Sequence, residues 1–465
     1  MSGVSRIVVE TRPGETRVAV LDKAGAPLLF RVERETSRSL VGGIHLGRVQ
    51  AVRKDIGAAF VDIGTGSDAF LNIKGSRTDA LGTGIEEGTA ILVQVTRDAL
   101  PGKGPAIGTG IDLVGAALVL TPGKPGLGLS SRITDDDKRN RLKALFADDG
   151  FDDVGLVVRT DAQDISDKDV QAEYERLQAR WVYLRGQVSS SSAPATVVPA
   201  PGLAERLVSQ YAGPSLREVL VDDADTRPSL NAYVATVMGN GVPAPVMVTG
   251  NSGAFAAAGL EDAFESALSP LVPLAGGGSL IITETPAMTT VDVNAGRAAA
   301  GNPERLALET NLEAADAIAQ ALLLRGIGGL IAVDFMKMRD AKNAERILGA
   351  LRTAFQGDPG HPRAGTLSPF GIVDIVRQRH GPSLAETMLV QSARRSVDSA
   401  ALEALNRISR RGGTGAVLKT SAQVRAQIEG PLAGIRKNLE HRLGFVIRLA
   451  EVPEAAPDHV EVEEV

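Results

Sequence analysis

Two aspartates constrain this chain more than any other feature. Asp292 lies in the run Met288-Thr289-Thr290-Val291-Asp292-Val293-Asn294, and Asp334 in the run Gly329-Leu330-Ile331-Ala332-Val333-Asp334-Phe335. Both runs are rich in β-branched and apolar residues and read as buried strands. A carboxylate in such surroundings is costly unless something neutralises it. Between the runs the pattern predicts a helix from about Pro303 to Arg325. Asn302 is its N-cap, Pro303 occupies the first turn, Leu308, Leu312, Ala315, Ala319 and Leu322 line one face, and Gly326 ends it. A strand–helix–strand unit brings the ends of both strands side by side. Two carboxylates meeting there suit a hard divalent cation such as Mg²⁺. The competing reading makes either aspartate a turn cap just past its strand. Asn294 follows Asp292 by two and so points to the same side, where it can bind a metal-bound water or a phosphate.

The bulk properties narrow the classes. A chain of 465 residues makes roughly two to four domains. Hydrophobic residues at 43% and charged residues at 23% describe a globular protein, and aromatics at 3% leave the core to Ala, Val, Leu and Ile. A formal net charge of −6 means that any nucleic-acid binding must use local basic surfaces. With no cysteines, disulfides, thiol catalysis and Cys-ligated zinc are excluded, and five scattered His make a zinc site a poor expectation. No run of membrane-spanning length and no signal-peptide pattern is present, so a cytoplasmic location is expected.

Residues 5 to 35 alternate as a β-meander with turns at Pro13-Gly14 and Gly25. From about 40 to 110, short strands with glycines at the corners suggest a small closed barrel of the OB type. They include Gly47-Arg48-Val49, Ala58-Ala59-Phe60-Val61-Asp62-Ile63-Gly64, Ala69-Phe70-Leu71 and Ile91-Leu92-Val93-Gln94-Val95. Residues 110 to 185 mix strands with a charged helix near Gln171 to Arg185. Ser189 to Pro201 reads as a linker, 203 to 267 as α/β, and about 400 to 452 as a C-terminal α/β piece before an acidic tail (Glu461, Glu463, Glu464).

Phe60 and Phe70 stand out in so aromatic-poor a chain. From spacing alone a barrel core claims them more readily than a barrel face, where they would stack bases of a single strand. Lys103 lies in a glycine-rich loop, either merely solvated or reaching a phosphate. Arg159-Thr160 closes a strand and offers a guanidinium fork and a hydroxyl to phosphate, although most such pairs carry no function. Gly276-Gly277-Gly278 lacks the following Lys-Ser/Thr of a phosphate loop.

The ordered motifs resemble one family. Val291-Asp292-Val293-Asn294-Ala295-Gly296, Glu309-Thr310-Asn311-Leu312-Glu313-Ala314-Ala315 and Gly328-Gly329-Leu330-Ile331-Ala332-Val333-Asp334-Phe335 resemble the catalytic core of the ribonuclease E/G family. Phe370-Gly371-Ile372-Val373 with Arg377-Gln378-Arg379 resembles its next block, and Gly47-Arg48-Val49 with Ala58 to Gly64 its RNA-binding barrel. The resemblance implies an α/β multi-subdomain fold: an RNase H-like fold (1–39 and 203–267) interrupted by an OB-type RNA-binding barrel (40–109) and a five-prime sensor region with linker (110–202). A DNase I-like catalytic subdomain (268–390) and a small C-terminal α/β subdomain with the acidic tail (391–465) follow. It also implies roles. Asp292 and Asp334 match the Mg²⁺-binding aspartates, and Asn294 the active-site asparagine. Phe60, Phe70 and Lys103 fall where the barrel grips single-stranded RNA. Gly115, Val119, Arg159 and Thr160 match a pocket for a 5′-monophosphate end.

The implied activity is Mg²⁺-dependent endonucleolytic hydrolysis of single-stranded, A/U-rich RNA to 5′-phosphate and 3′-hydroxyl ends. The alternatives are an RNA-binding scaffold with weak catalysis and, further off, a DNA-directed nuclease. The sequence departs from the family in three places. The zinc-binding Cys-x-x-Cys link should fall near Met388 to Ser396, where there is no cysteine, so any homodimer forms without a zinc link. A further sensor arginine aligns near His361, with Arg363 two positions on. Lys337, three after Asp334, stands where the family often has another acid; an ammonium there would weaken metal binding or help hold phosphate.

Overall fold

A computed structural model describes residues 3–73, 78–99, 103–147, 149–151, 153–238, 242–248, 253–296, 302–389, 397–409, 415–457 and 459–464. The chain falls into two compact units, Met1–Leu389 and Val390–Val465.

In the first unit the N-terminal meander forms as the alternation predicts: Val4–Arg12, Glu15–Asp22 and Pro27–Arg34 pair antiparallel. Glu218–Val221 then joins Val4–Arg12 in parallel, and Val246–Met247 joins Glu218–Val221 in parallel. One five-stranded sheet thus draws on segments about two hundred residues apart. Apolar residues occupy both strand phases, so both faces are covered. Ile7, Val9, Val18 and Val20 pack with Leu207, Val208 and Leu230, while Val8, Ala19, Leu21 and Phe30 pack with Phe255 and Phe264.

The intervening chain builds a closed five-stranded barrel. Ile44–Arg53, Ala58–Asp62, Ala69–Asn72, Ala106–Gly108 and Ala90–Arg97 are neighbours in that order, and Ile44–Arg53 pairs back to Ala90–Arg97 to seal it. The expected linker is partly a strand. Ala195–Val198 pairs with Ile44–Arg53, because Thr196, Val197 and Val198 supply β-branched side chains to the uncovered edge of that strand. A second small sheet orders Leu127–Leu129, Val154–Val158, Leu118–Pro122 and Leu113–Val114. The charged helix against it is longer than its core pattern, running Asp167–Ser189 from a Ser166 cap.

Six strands make the sheet that carries the aspartates: Leu271–Pro273, Ser279–Glu284, Thr289–Asn294, Gly329–Asp334, Ile372–Arg377 and Arg363–Ala364 in spatial order. The helix between the aspartate strands runs Pro303–Arg325. Asn302 Oδ1 accepts from Glu304 N–H at 3.0 Å, and Gly326 stops the helix at φ 69° in the left-handed region. Leu280, Ile282, Val291, Val293, Ile331, Val333, Val373 and Ile375 bury one sheet face against this helix and Ala341–Ala354.

The second unit has its own core. Ala416–Thr420 lies between Ile447–Glu451, parallel, and Val460–Glu464, antiparallel. Leu405, Val424, Ile428 and Leu439 cover Leu418 and Ile447. The acidic end forms an edge strand: Val460 and Val462 alternate towards the core and Glu463 pairs with Lys419. Among the described residues no helix is long and apolar enough to cross a membrane.

Candidate functional site

The parallel pairing of Thr289–Asn294 with Gly329–Asp334 sets Asp292 directly opposite Asp334. Neighbouring strands run about 4.8 Å apart, so the two residues are lateral neighbours in the sheet. Their neighbours Val291, Val293 and Val333 point into the core, while both aspartates point to the other side and are exposed. Here the expectation of buried aspartates is corrected. The sheet has one covered face and one open face, and the carboxylates stand on the open one, hydrated rather than desolvated. Asn294 shares that face and donates from Nδ2 to Asp292 Oδ2 at 2.8 Å, which fixes the carboxylate and turns the amide.

The helix between the strands sets this geometry through one buried side chain. Asn311 is fully buried on the core face. Its Nδ2 donates to the Met336 carbonyl at 2.8 Å and its Oδ1 accepts from Met336 N–H at 3.0 Å. The chain two residues past Asp334 is thereby tied to the helix. The signal was available, since Asn311 is a polar residue one position from Leu312 in the apolar stripe. On the other flank, a Cβ built on Gly371 would stand 3.8 Å from Asp334 Oδ1 and 3.7 Å from the Lys337 side chain. Lys337 and Asp334 thus share a neighbour.

Donor chemistry fits a hard cation. Among the described residues no group of three or more His, Cys, Asp or Glu could hold a metal. Two carboxylates on an open face leave most positions to water and substrate oxygens, which is how Mg²⁺ is commonly held.

In the barrel, Ala59, Val61, Ala69 and Leu71 fill the core, so the strand period turns Phe60 and Phe70 outward. They oppose one another across the strands with ring centroids 6.2 Å apart, edge to face, and Phe70 is 38% exposed. The core placement favoured by spacing alone does not occur. Lys103 is exposed at the end of the same strand pair: Phe70 N–H donates to the Pro105 carbonyl, and a Cβ on Gly104 would stand 1.9 Å from the Asp68 carbonyl.

Gly115, Val119, Arg159 and Thr160 also come together. Arg159 donates from Nη1 to the carbonyls of Gly115 at 2.8 Å and Ser209 at 3.3 Å, and from Nη2 to that of Gln210 at 3.4 Å. Val119 pairs with Val157, two residues before Arg159. Glu173 is buried beneath them; its Oε1 accepts from Ala117 and Leu118 N–H at 2.9 Å each, and a Cβ on Gly115 would meet that oxygen at 2.2 Å. Burial pushes the Glu173 carboxyl up against the pull of those two bonds. Thr160 meets Ser130 hydroxyl to hydroxyl at 2.9 Å, two residues from Arg132. Arg132, Arg352, His361 and Arg363 line one cleft of about 570 Å³. Both candidates for the further sensor cation therefore face the same space. The cleft's Asp358 is already held by Arg377 from behind, at 2.8 and 2.9 Å, which leaves the lining net positive.

With this geometry in place, comparison with known proteins is decisive. A model of the ribonuclease E/G family matches residues 112–380. Ribonuclease G of Haemophilus influenzae is 30% identical over 398 residues, which is 82% of this chain and 81% of that protein. The chain belongs to the ribonuclease E/G family. Ribonuclease G of Salmonella typhimurium is 31% identical over 400 residues, 83% of this chain and 82% of that one. Ribonuclease E of Escherichia coli is 30% identical over 397 residues, 82% of this chain but 37% of the longer protein. Of the segment where a zinc link would fall, Met388 to Ser396, residues 390 to 396 lie outside the described residues.

Proposed function

We propose that this member of the ribonuclease E/G family is an Mg²⁺-dependent endoribonuclease acting in RNA processing and decay. It cleaves single-stranded, A/U-rich RNA by hydrolysis and leaves 5′-phosphate and 3′-hydroxyl ends. The observation that carries the reading is the register of Asp292 opposite Asp334 on the open sheet face.

Asp292 and Asp334 hold the ion, which when bound neutralises phosphodiester charge and lowers the pKa of a coordinated water. Asn294 keeps the Asp292 carboxylate in one rotamer and offers its own amide oxygen to the attacking water or its nitrogen to the phosphate. Asn311 fixes the depth of the Asp334 strand end. Phe60 and Phe70 stack bases of the single strand for roughly 1–3 kcal/mol per base, without strict sequence readout, and Lys103 neutralises the backbone beside them. Gly115, Val119, Arg159 and Thr160, with the cationic cleft of Arg132, Arg352, His361 and Arg363, receive a 5′-monophosphate. Arg159 already serves three carbonyls, so the cleft arginines supply most of the free charge in this reading.

The architecture we assign is an RNase H-like sheet interrupted by an OB-type barrel and the sensor region, then a DNase I-like catalytic subdomain and a small α/β subdomain. The shared sheet of the N-terminal meander and Glu218–Val221 supports the interruption. We place the protein in the cytoplasm, with any homodimer formed without a zinc link.

The test is a cleavage assay on labelled single-stranded RNA with Mg²⁺ titrated, comparing 5′-phosphorylated and 5′-hydroxyl oligomers. Asp292→Asn and Asp334→Asn should each slow cutting by on the order of a thousandfold; equal cleavage by wild type and both variants would remove this site from the chemistry. A second reading, a catalytically weak RNA-binding scaffold, is favoured by Lys337 beside Asp334. Tight RNA binding without Mg²⁺-dependent cleavage would select it, and cleavage of matched DNA oligomers at equal rate would point to a DNA-directed enzyme.

A further inference from the structure

Phe370 is 76% exposed, and among the described residues only Phe70 is another exposed phenylalanine. Its backbone is held. Ser368 N–H donates to the Ile372 carbonyl at 2.9 Å, Gly371 N–H to the Ser368 carbonyl at 3.0 Å, and Ser368 Oγ accepts from Ile372 N–H at 3.1 Å. Gly371 sits at φ 92°, which a glycine adopts without strain, and its carbonyl accepts from Phe335 N–H at 3.2 Å. The turn is therefore anchored to the residue after Asp334, and Phe370 is the exposed residue next to Gly371, whose built Cβ would lie 3.8 Å from Asp334 Oδ1.

The sheet register extends the surface. Leu271, Ile281, Asp292, Asp334 and Ile372 are successive partners across five strands and share the open face. All three apolar members of that row are exposed. Acid occupies the centre and apolar side chains the two flanks. A single-stranded RNA that runs across the strands with its scissile phosphate over the acids lays its neighbouring nucleotides over those flanks. Lys337, beside the same Gly371, suits the adjoining phosphate.

We propose that Phe370 is a base-stacking platform, with Ile372 at its foot, that receives the nucleobase adjacent to the scissile phosphate on the Asp334 side. The proposal rests on the ribonuclease reading and deepens it, adding a positioning contact at the cleavage point to the one on the barrel. A stacking surface favours any base and so orients the phosphodiester without demanding a sequence.

The experiment uses the full chain and single-stranded RNA carrying 2-aminopurine scanned through each position around the cut. In an Asp292→Asn background, one position flanking the cut should be quenched on binding. Phe370→Ala should abolish that quench, and Phe370→Trp should restore it. In the otherwise wild-type chain Phe370→Ala should lower kcat/KM by about 5- to 150-fold. An abasic nucleotide at the quenched position should cost about as much and leave Phe370→Ala with no further effect. An unchanged quench, or losses that simply multiply, would overturn the proposal. So would a change of oligomeric state on Phe370→Ala with quench retained, since the row would then be an interface between copies. If the wild-type chain cleaves no RNA at all, the ribonuclease reading fails, while the quench still decides whether Phe370 stacks a base.

Discussion

The catalytic sheet and the sensor region handle charge in opposite ways. On the open sheet face Asp292 and Asp334 are exposed, and among the described residues neither forms an ion pair. Around Gly115 the charges are spent on the backbone. Glu173 caps two N–H groups and Arg159 serves three carbonyls. A carboxylate committed to main-chain donors shapes a loop; a pair left facing water is available to a ligand. The comparison separates the two kinds of acid without reference to sequence spacing, and each half of it can be broken by substitution.

The largest effect belongs to the uncommitted pair. Asp292→Asn and Asp334→Asn should each lower kcat by on the order of a thousandfold, about 4 kcal/mol of transition-state stabilisation. Because both side chains are exposed, thermal unfolding should stay within about 0.5 kcal/mol of wild type. A variant that lost activity together with its fold would show the pair to be structural, and the contrast with Glu173 would disappear.

Phe70→Ala comes next. The ring lies outside the barrel core, so its loss should weaken RNA binding by roughly 1–3 kcal/mol through KM, with kcat nearly kept. Titration of labelled RNA checks it. A stability loss of about 3 kcal/mol or more, the size expected for a core phenylalanine, would return Phe70 to the interior.

Gly115→Ala tests the committed side. The added methyl would push on Glu173 Oε1 and displace it from Ala117 and Leu118. Leaving those buried donors unpaired should cost about 1–3 kcal/mol. The readouts are chemical denaturation and the preference for 5′-phosphorylated over 5′-hydroxyl RNA, which should shrink while cleavage of 5′-hydroxyl RNA is kept. An unchanged preference would detach this loop from end recognition.

These residues also show what could be read in the sequence. The Pro303–Arg325 helix was legible to the residue because its ends are local chemistry: Asn302 bonds its own helix and Gly326 needs only its own φ. The closed barrel was legible from strand spacing and corner glycines. Which way Phe60 faced was not, since alternation gives two phases and only the buried set Ala59, Val61 and Leu71 decides between them. The open face was missed for a related reason. Val291 and Val293 flank Asp292 identically in a strand covered on one side or on both, and what packs there is chosen by distant chain. At the acidic end, charge density masks the alternation of Val460 and Val462 that makes a strand there. Asn311 was passed over because its partner, Met336, is 25 residues on.

Glu173→Gln makes the smallest change and the sharpest one. Burial holds the wild-type carboxyl above its ordinary range, although Ala117 and Leu118 pull the other way. With the folded value above the unfolded one of about 4.3, the folded state binds its proton more tightly. Its contribution to stability is then complete below about pH 4.3 and is lost as pH rises through the raised folded value. Glutamine keeps an Oε1 acceptor for both N–H groups and cannot ionise. Over thermal melts from about pH 4 to pH 7, wild type should therefore lose stability relative to the variant, and the variant's profile should be the flatter. Parallel profiles for wild type and Glu173→Gln would mean that this carboxyl titrates alike folded and unfolded, and that its burial beside Ala117 and Leu118 carries no pH-dependent part of the stability.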